Sequence, residues 1–332
     1  MKNIIGLGLE SSCDETAAAI VENGSRVLSN RIASQIDLHS EYYGVVPEIA
    51  SRAHLEMINP LIDSALKESG LTFDDIDYVA ATNRPGLIGS LMIGLQAAKT
   101  ISYIKKIPLI ATNHLEAHLY APFLNSETIS YPYIGLLVSG GNTALYLMKG
   151  IGEMMLLGRT MDDAIGEAFD KVSKFMELGY PGGPLIDKLA RKAVKKEKLF
   201  PKLLAAKNED YRFSYSGLKT AVINYVKNNP EYDINEVAYS FQESAIEILI
   251  RRTFAAARDY GLKNIVIAGG VAANSRLREL FLSECRDGEK IIIPPIDLCT
   301  DNAAMIAGVS YHYFCRDQFD TLEADVTAKI RV

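Results

Sequence analysis

IIGLGLESSCDETAAAIV, residues 4–21, reads as an apolar run, a short polar turn and a second apolar run, the pattern of a strand–turn–strand unit. YIGLLVSGGNTALYLM, residues 133–148, repeats that order, with Ser139-Gly140-Gly141-Asn142 as its turn. The segments downstream of the two copies also match. After the first copy come a strand at 78–81, a loop carrying Pro85, Gly86 and Gly89, and a helix to about 105. A strand at 107–111 and a helix from near Asn113 complete it. After the second copy come a strand at 265–268, the Gly269-Gly270 loop and a helix, then a strand at 291–293, a Pro-Pro break and a helix beginning near Asp301. The repeat predicts an internal duplication: two α/β lobes with a cleft between them. Chance alternation of strands and helices in a long α/β chain is the alternative.

The expected division is an N-terminal lobe over 1–130 and a C-terminal lobe over 131–332. The second carries a mostly helical insertion at about 156–256, and its last helices have the option of packing back on the first lobe. A further helical stretch at about 46–70 interrupts the first lobe.

The chain has 332 residues, 48 % hydrophobic, and a formal charge of −6. That composition suits a folded domain pair and excludes a collagen-like or disordered chain. No global field draws nucleic acid, so an RNA contact needs a local basic patch. The four cysteines form no C-x-x-C pair and no disulfide spacing. No leader core or membrane span is legible, and the expectation is a soluble, cytoplasmic protein with no membrane partner.

Small residues at a strand turn let backbone N–H groups approach an anion, because no Cβ intervenes. The turns at 11–14 and 139–142 have that character, and Gly269-Gly270 entering a helix is a third candidate. Hairpin or capping glycines are the plainer reading of each.

His114 and His118 stand at i and i+4, so on a helix both rings leave one face. Two neutral imidazoles at that spacing can share a divalent ion. Two histidines on a packed helix surface are the alternative. Asp301 opens the helix expected to correspond, in the second half, to the one carrying His114. Facing helix starts would set its carboxylate across the cleft from both rings. Two histidines and one carboxylate leave coordination positions open, as a catalytic ion requires. A simple helix N-cap is the other reading of Asp301. A metalloprotease helix needs glutamate directly after the first histidine. Glu116 is two residues on, faces away, and argues against one.

Asp163, Glu167 and Asp170 are expected on one helical face opposite Ile165, Phe169 and Val172, which reads as a solvated amphipathic helix. Eight cations at 188–207 (Lys188, Arg191, Lys192, Lys195, Lys196, Lys198, Lys202 and Lys207) either track an RNA backbone or form a soluble face.

Nine motifs resemble one family. They are ESSCDET (10–16), PEIASRAH (47–54), NHLEAH (113–118), VSGGNT (138–143), DDAIGEAFDK (162–171), GYPGGP (179–184), FSYSGLK (213–219), GGVAAN (269–274) and CTDNAAM (299–305). Together they are similar to the bacterial tRNA threonylcarbamoyladenosine transferases, the TsaD family, once labelled a sialoglycoprotein endopeptidase. The resemblance implies the α/β, duplicated two-lobed actin/sugar-kinase/Hsp70-like (ASKHA) fold with helical insertions. It implies one divalent metal per subunit, Fe(2+) ahead of Zn(2+), on His114, His118 and Asp301. It implies that Leu137, Val138, Ser139, Gly140 and Gly141 line the phosphate side of the substrate site, with Asp170, Gly183, Asp187 and Asn274 on the adenosine and ribose portion. That role displaces the solvated reading of Asp170. Asp14 and Glu15 match acidic residues at the family's centre and are the expected catalytic pair.

The implied substrates are threonylcarbamoyl adenylate, or an ATP-like nucleotide, and the anticodon loop of tRNA. The implied partners are a TsaB-type paralogue and a TsaE-type ATPase, with TsaC-type enzymes supplying the intermediate. Ala117 stands where the family has glycine, which keeps the helix. Leu137 stands where archaeal relatives place a tyrosine near the metal, so no phenolate ligand is expected. Two rivals use the same fold without needing the histidine pair: a small-molecule kinase, and a regulatory ATPase that leaves RNA unmodified.

Overall fold

The computed structural model describes residues 2–42, 44–125, 130–200 and 211–329. The chain divides into two compact units, Met1–Ile129 with Thr300–Val332 and, separately, Ser130–Cys299. Unit 1 contains strands β1 (Ile5–Glu10), β2 (Glu15–Glu22) and β3 (Arg26–Ser34), then helices α1 (Ile36–Ser40) and α2 (Pro47–Ser69). It continues with β4 (Tyr78–Arg84), α3 (Ile88–Lys105), β5 (Leu109–Asn113) and α4 (His114–Tyr120). Unit 2 contains β6 (Tyr133–Val138), β7 (Thr143–Gly150), β8 (Glu153–Arg159), α5 (Ile165–Phe175), α6 (Gly182–Ala190) and α7 (Ser216–Asn228). It ends with α8 (Ile234–Asp259), β9 (Asn264–Ala268), α9 (Ser275–Ser283) and β10 (Lys290–Ile292). The chain then returns to unit 1 as α10 (Ala303–Phe314).

The first sheet runs β3-β2-β1-β4-β5 and the second β8-β7-β6-β9-β10. In each, three antiparallel strands are followed by two parallel additions, so the repeat seen in the sequence is a repeat of topology. The third strand of each sheet has no clear signal in the sequence. In β3 the apolar and polar positions do not alternate cleanly, and β8 reaches into the stretch expected to begin the helical insertion.

Strand periodicity decides what each face of sheet 1 holds. Leu7 and Leu9 of β1, with Val79 and Ala81 of β4, join a core with Ile58, Leu61, Ile62 and Leu95 from α2 and α3. The intervening residues Gly6, Gly8 and Glu10 point to the opposite face. There α10 lies directly on β1: a Cβ on Gly8 would fall inside contact distance of Ala303 O and Ala307 N, so glycine is what admits the helix. The Tyr78 hydroxyl donates to Ala307 O at 2.7 Å, and the hydroxyls of Thr112 and Ser310 meet at 2.7 Å. Burial of Met305, Ile306 and Val309 contributes roughly 1.5–3 kcal/mol each.

Unit 2 has its own core. Ile134, Leu136, Ile265 and Ile267 of its sheet pack with Ile165, Phe169 and Val172 of α5 and with Phe241, Ala245 and Leu249 of α8. No helix among the described residues is long and apolar enough to cross a membrane.

Candidate functional site

The helix α4 is seven residues long and buried throughout. Asn113 caps it, its side chain accepting from Leu115 N at 2.9 Å. His114 and His118 therefore sit one turn apart on a rigid, desolvated element, with ring centroids 4.5 Å apart and planes at 81°. Both Nε2 atoms converge on one oxygen of Asp301, His118 at 2.9 Å and His114 at 3.5 Å. One ligand atom from each of the three residues lies within 4.8 Å of the other two. Donors held about 2.0–2.2 Å from a common divalent ion stand roughly 3–3.5 Å from one another, and the two imidazole–carboxylate separations of 2.9 and 3.5 Å fit that range. Glu116 turns the other way and accepts from the Tyr313 hydroxyl at 2.7 Å.

Asp301 reaches the histidines by a route that the repeat pattern does not reveal. The pattern puts its helix in the second lobe, with the carboxylate facing the rings across a cleft. The residue instead belongs to unit 1, because α10 packs on β1 and β4 beside α4. Nor is Asp301 a helix cap. Asn302 takes that position, its side chain accepting from Met305 N at 3.0 Å, which leaves the aspartate to face the rings.

Glu10 is a site residue that sequence reasoning misses, although a carboxylate at the end of a face otherwise made of glycines is a readable signal. It is fully buried. Its oxygens accept from Ser12 N at 2.6 Å and the Thr82 hydroxyl at 2.5 Å, and His114 Nδ1 lies 3.0 Å away. Burial pushes the Glu10 carboxyl up, but the His114 ring and the Thr82 hydroxyl bring it below its usual range. Burial likewise disfavours the charged form of His114, while Asp301 and Glu10 outweigh it and raise the ring to about 9. Asp301 is held down at about 2, against burial, by both histidines. The charged form of the His114 ring thus lies between the fully buried Glu10 carboxylate and the partly buried Asp301 carboxylate.

Asp14 and Glu15 lie in the same turn. Burial, then Asp301 and Asp14, push Glu15 up to about 10, and the two side chains hydrogen-bond each other. The turn is clamped from α2 by His54, which closes the PEIASRAH motif but is not among the expected site residues. Its Nε2 donates to Cys13 O at 3.1 Å and its Nδ1 accepts from the Thr16 hydroxyl at 2.7 Å. His54 is hidden because it falls in register with Ala50, Ile58 and Leu61 on the helix's buried stripe.

In unit 2 the Ser139–Asn142 turn closes by Ser139 N donating to Asn142 O at 2.8 Å. Cβ atoms built on Gly140 and Gly141 would meet nothing within 4 Å, so the turn is open. Leu137 and Val138 are buried in β6. Behind the turn, Gly166 and Gly269 permit close backbone packing against Ser139 and Val138.

The four residues expected around a nucleoside form a connected group. Asp170 accepts from Gly182 N at 2.7 Å, at the start of the helix that carries Gly183 and Asp187. The Ser275 hydroxyl donates to both oxygens of Asp187 at 3.0 and 2.8 Å. Its neighbour Asn274 caps α9 through Leu277 N and donates to Gln242 at 2.8 Å. Ser275 and Gln242 have no signal in the sequence.

Three expectations need correction. Gly269-Gly270 does not enter a helix directly; a 3-10 turn at Gly270–Ala273 intervenes, and α9 starts after Asn274. Asp163 does not share a helical face with Glu167 and Asp170, because α5 begins at Ile165. Nor is Asp163 solvated: it is buried, with Lys171 at 2.6 Å and Lys219 at 2.5 Å. Of the basic stretch, Lys202 and Lys207 lie outside the described residues. Its described part leaves the helix after Ala190, where Glu236 accepts from Val194 N and Lys195 N at 2.7 Å each.

Against this geometry stand the comparisons with known proteins. The profile of a family described as "TsaD: tRNA N6-adenosine threonylcarbamoyltransferase" matches residues 26–308. A protein of that name from Treponema denticola is 50 % identical over 98 % of this chain and 96 % of its own length. Another from Caldicellulosiruptor bescii is 49 % identical over 92 % of this chain and 91 % of its own. Among solved structures, full-length HypF in a phosphate- and nucleotide-bound form aligns with a TM-score of 0.63 at 12 % identity, covering 96 % of this chain and 47 % of HypF. Component A of the Acidaminococcus fermentans (R)-2-hydroxyglutaryl-CoA dehydratase gives 0.55 at 13 %, covering 95 % and 100 %. These last two likenesses are of fold alone, and they agree with the duplicated ASKHA architecture.

Proposed function

Since the chain belongs to the TsaD family of tRNA N6-adenosine threonylcarbamoyltransferases, we propose that it transfers threonylcarbamoyl from threonylcarbamoyl adenylate to tRNA. The acceptor is the exocyclic amine of adenosine 37, beside the anticodon, in tRNAs reading codons that begin with adenine, and AMP leaves. The observation that carries this reading is the convergence of His114, His118 and Asp301 on one point inside unit 1. No such set is needed by a kinase of the same fold.

His114, His118 and Asp301 would hold a divalent ion, with Fe(2+) ahead of Zn(2+). When bound, such an ion supplies Lewis acidity to substrate oxygens. The chain's own residues do the rest. Gly140 and Gly141 present backbone N–H groups to the adenylate phosphate. Asp170, Asp187 and Asn274 hold the nucleoside, with Ser275 fixing the Asp187 carboxylate. An acyl adenylate is a mixed anhydride with AMP as a good leaving group, so the protein needs only to orient the amine and accept its proton. Asp14 or Glu15 takes that proton. The anticodon loop is unpaired, which lets the adenine turn into a pocket at low cost.

The described cations of the 188–198 stretch are the proposed RNA-tracking surface. Exposed Ile88, Met92, Tyr103 and Ile104 of α3 are the proposed face for a TsaB-type paralogue, with a TsaE-type ATPase as further partner. The decisive assay incubates the protein with labelled threonylcarbamoyl adenylate and tRNA, with and without those partners. The reading is wrong if a folded His114→Ala/His118→Ala protein modifies tRNA at the normal rate.

A further inference from the structure

We propose that Glu10 is a positioning residue for the metal centre: its buried carboxylate holds His114 in the tautomer that turns the Nε2 lone pair toward Asp301 and His118. This rests on the metal reading above and assigns a role to a residue that touches no substrate.

The argument is one of donors and acceptors. An ionised carboxylate only accepts. Glu10 lies 3.0 Å from His114 Nδ1, so the ring proton between them sits on Nδ1. In the neutral ring, the form in which a histidine ligates a metal, the opposite nitrogen, Nε2, is bare, and it is Nε2 that lies 3.5 Å from Asp301. The Ser12 hydroxyl is a second neighbour of Nδ1 at 3.2 Å and can accept from the same proton or donate elsewhere. The carboxylate cannot reverse its role.

Glu10 is itself pinned. Ser12 N and the Thr82 hydroxyl donate to its two oxygens, and strand pairing puts Thr82 beside it on the same sheet face. Its side chain is 0 % exposed, so the carboxylate is shielded from bulk water. His118 has no such support: its Nδ1 is buried without a partner among the described residues. The pair of rings is therefore oriented from one side, through His114. Carboxylates behind a ligating histidine typically change metal affinity by roughly 10–100-fold when removed.

The test uses zinc as a diamagnetic probe. Zinc affinity is measured by chelator competition for the wild type, Glu10→Gln and Thr82→Val, with circular dichroism to check folding. Glutamine keeps the size and the acceptor oxygen but presents an NH2 group to Nδ1, which forces the proton toward Nε2. Glu10→Gln is expected to lose about 10–100-fold in affinity. Thr82→Val, which leaves the carboxylate but loosens it, is expected to lose a few-fold and serves if the first variant does not fold. Nitrogen-15 histidine spectra of the zinc-loaded wild type should show His114 bound through Nε2 with a proton on Nδ1. Binding through Nδ1, or unchanged zinc affinity in folded Glu10→Gln, overturns the role of Glu10 alone. If Glu10→Gln does not fold, unchanged affinity in Thr82→Val does the same. A wild-type protein that takes up no zinc, iron or cobalt overturns the metal reading and this inference with it.

Discussion

The first turn of sheet 1 and the first turn of sheet 2 occupy the same place in a shared topology, yet one is filled and the other bare. Between β1 and β2, Ser11 donates to Ser90 O at 2.8 Å, Ser12 O accepts from Leu87 N at 2.8 Å, and Ser12 N is taken by Glu10. The turn is stitched to α3, and its next residues are the Cys13-Asp14-Glu15 run that His54 clamps. Between β6 and β7 the corresponding glycines face open space. A duplicated backbone thus yields two kinds of place. In one the chain supplies its own polar partners around a small cluster; in the other the turn glycines have open space around them.

The sharpest way to break that contrast is to remove the cluster. Asp301→Ala should abolish zinc uptake and lower tRNA modification by about a thousandfold or more, several kcal/mol of transition-state stabilisation, while leaving nucleotide binding within twofold. Equal loss of nucleotide binding, read by calorimetry, would mean the two places are not separate. Next, a side chain added at a glycine should act differently in the two units. Gly8→Ala forces α10 off β1 and should destabilise the fold by about 1–3 kcal/mol in a thermal melt. Gly140→Val should leave the melt unchanged but raise the KM for the adenylate. Smaller again, Asn274→Ala removes the α9 cap and should cost about 1 kcal/mol, with weaker nucleotide binding on top.

The smallest expected effect is a pH dependence confined to unit 2. Burial raises the Asp163 carboxyl, but Lys171 and Lys219 outweigh it and hold it below its usual range. An acid whose folded pKa is depressed contributes stability that is present above its unfolded pKa and is lost as pH falls through the folded one. Melting temperatures of the wild type should therefore converge with those of Asp163→Asn as pH drops below about 4. A constant gap between them down to pH 2 would show that the ion pairs contribute nothing.

What can be read from the sequence depends on what each signal is made of. The duplication is readable because strand turns carry small polar residues in both copies, and turns survive as local chemistry. The facing of His114 and His118, and the aversion of Glu116, come from helical spacing alone. The carboxylate partner of the histidines is offered by the repeat pattern and implied by the resemblance, but the pattern sets it across a cleft rather than inside unit 1. Nothing local in Thr300-Asp301-Asn302 says that the next helix crosses to the earlier sheet; the space above Gly8 decides that. Glu10 and His54 escape notice for a related reason. Each lies on a buried stripe or face whose other members are glycine or aliphatic, and burial disguises a polar residue as part of a core pattern.

The segment Thr300–Val332 completes unit 1 only after all of unit 2 has been written into the chain. His118 and Asp301 are 183 positions apart. At synthesis rates of about 5–20 residues per second, the histidines wait roughly ten to forty seconds on the ribosome for their carboxylate. Throughout that interval the Gly6–Gly8–Tyr78 surface has no α10 over it. The nascent protein thus emerges with an uncovered flank and an unfinished His–Asp cluster, and both are completed only once α10 has been made. A premature stop anywhere in unit 2 would leave neither a catalyst nor a sealed first unit.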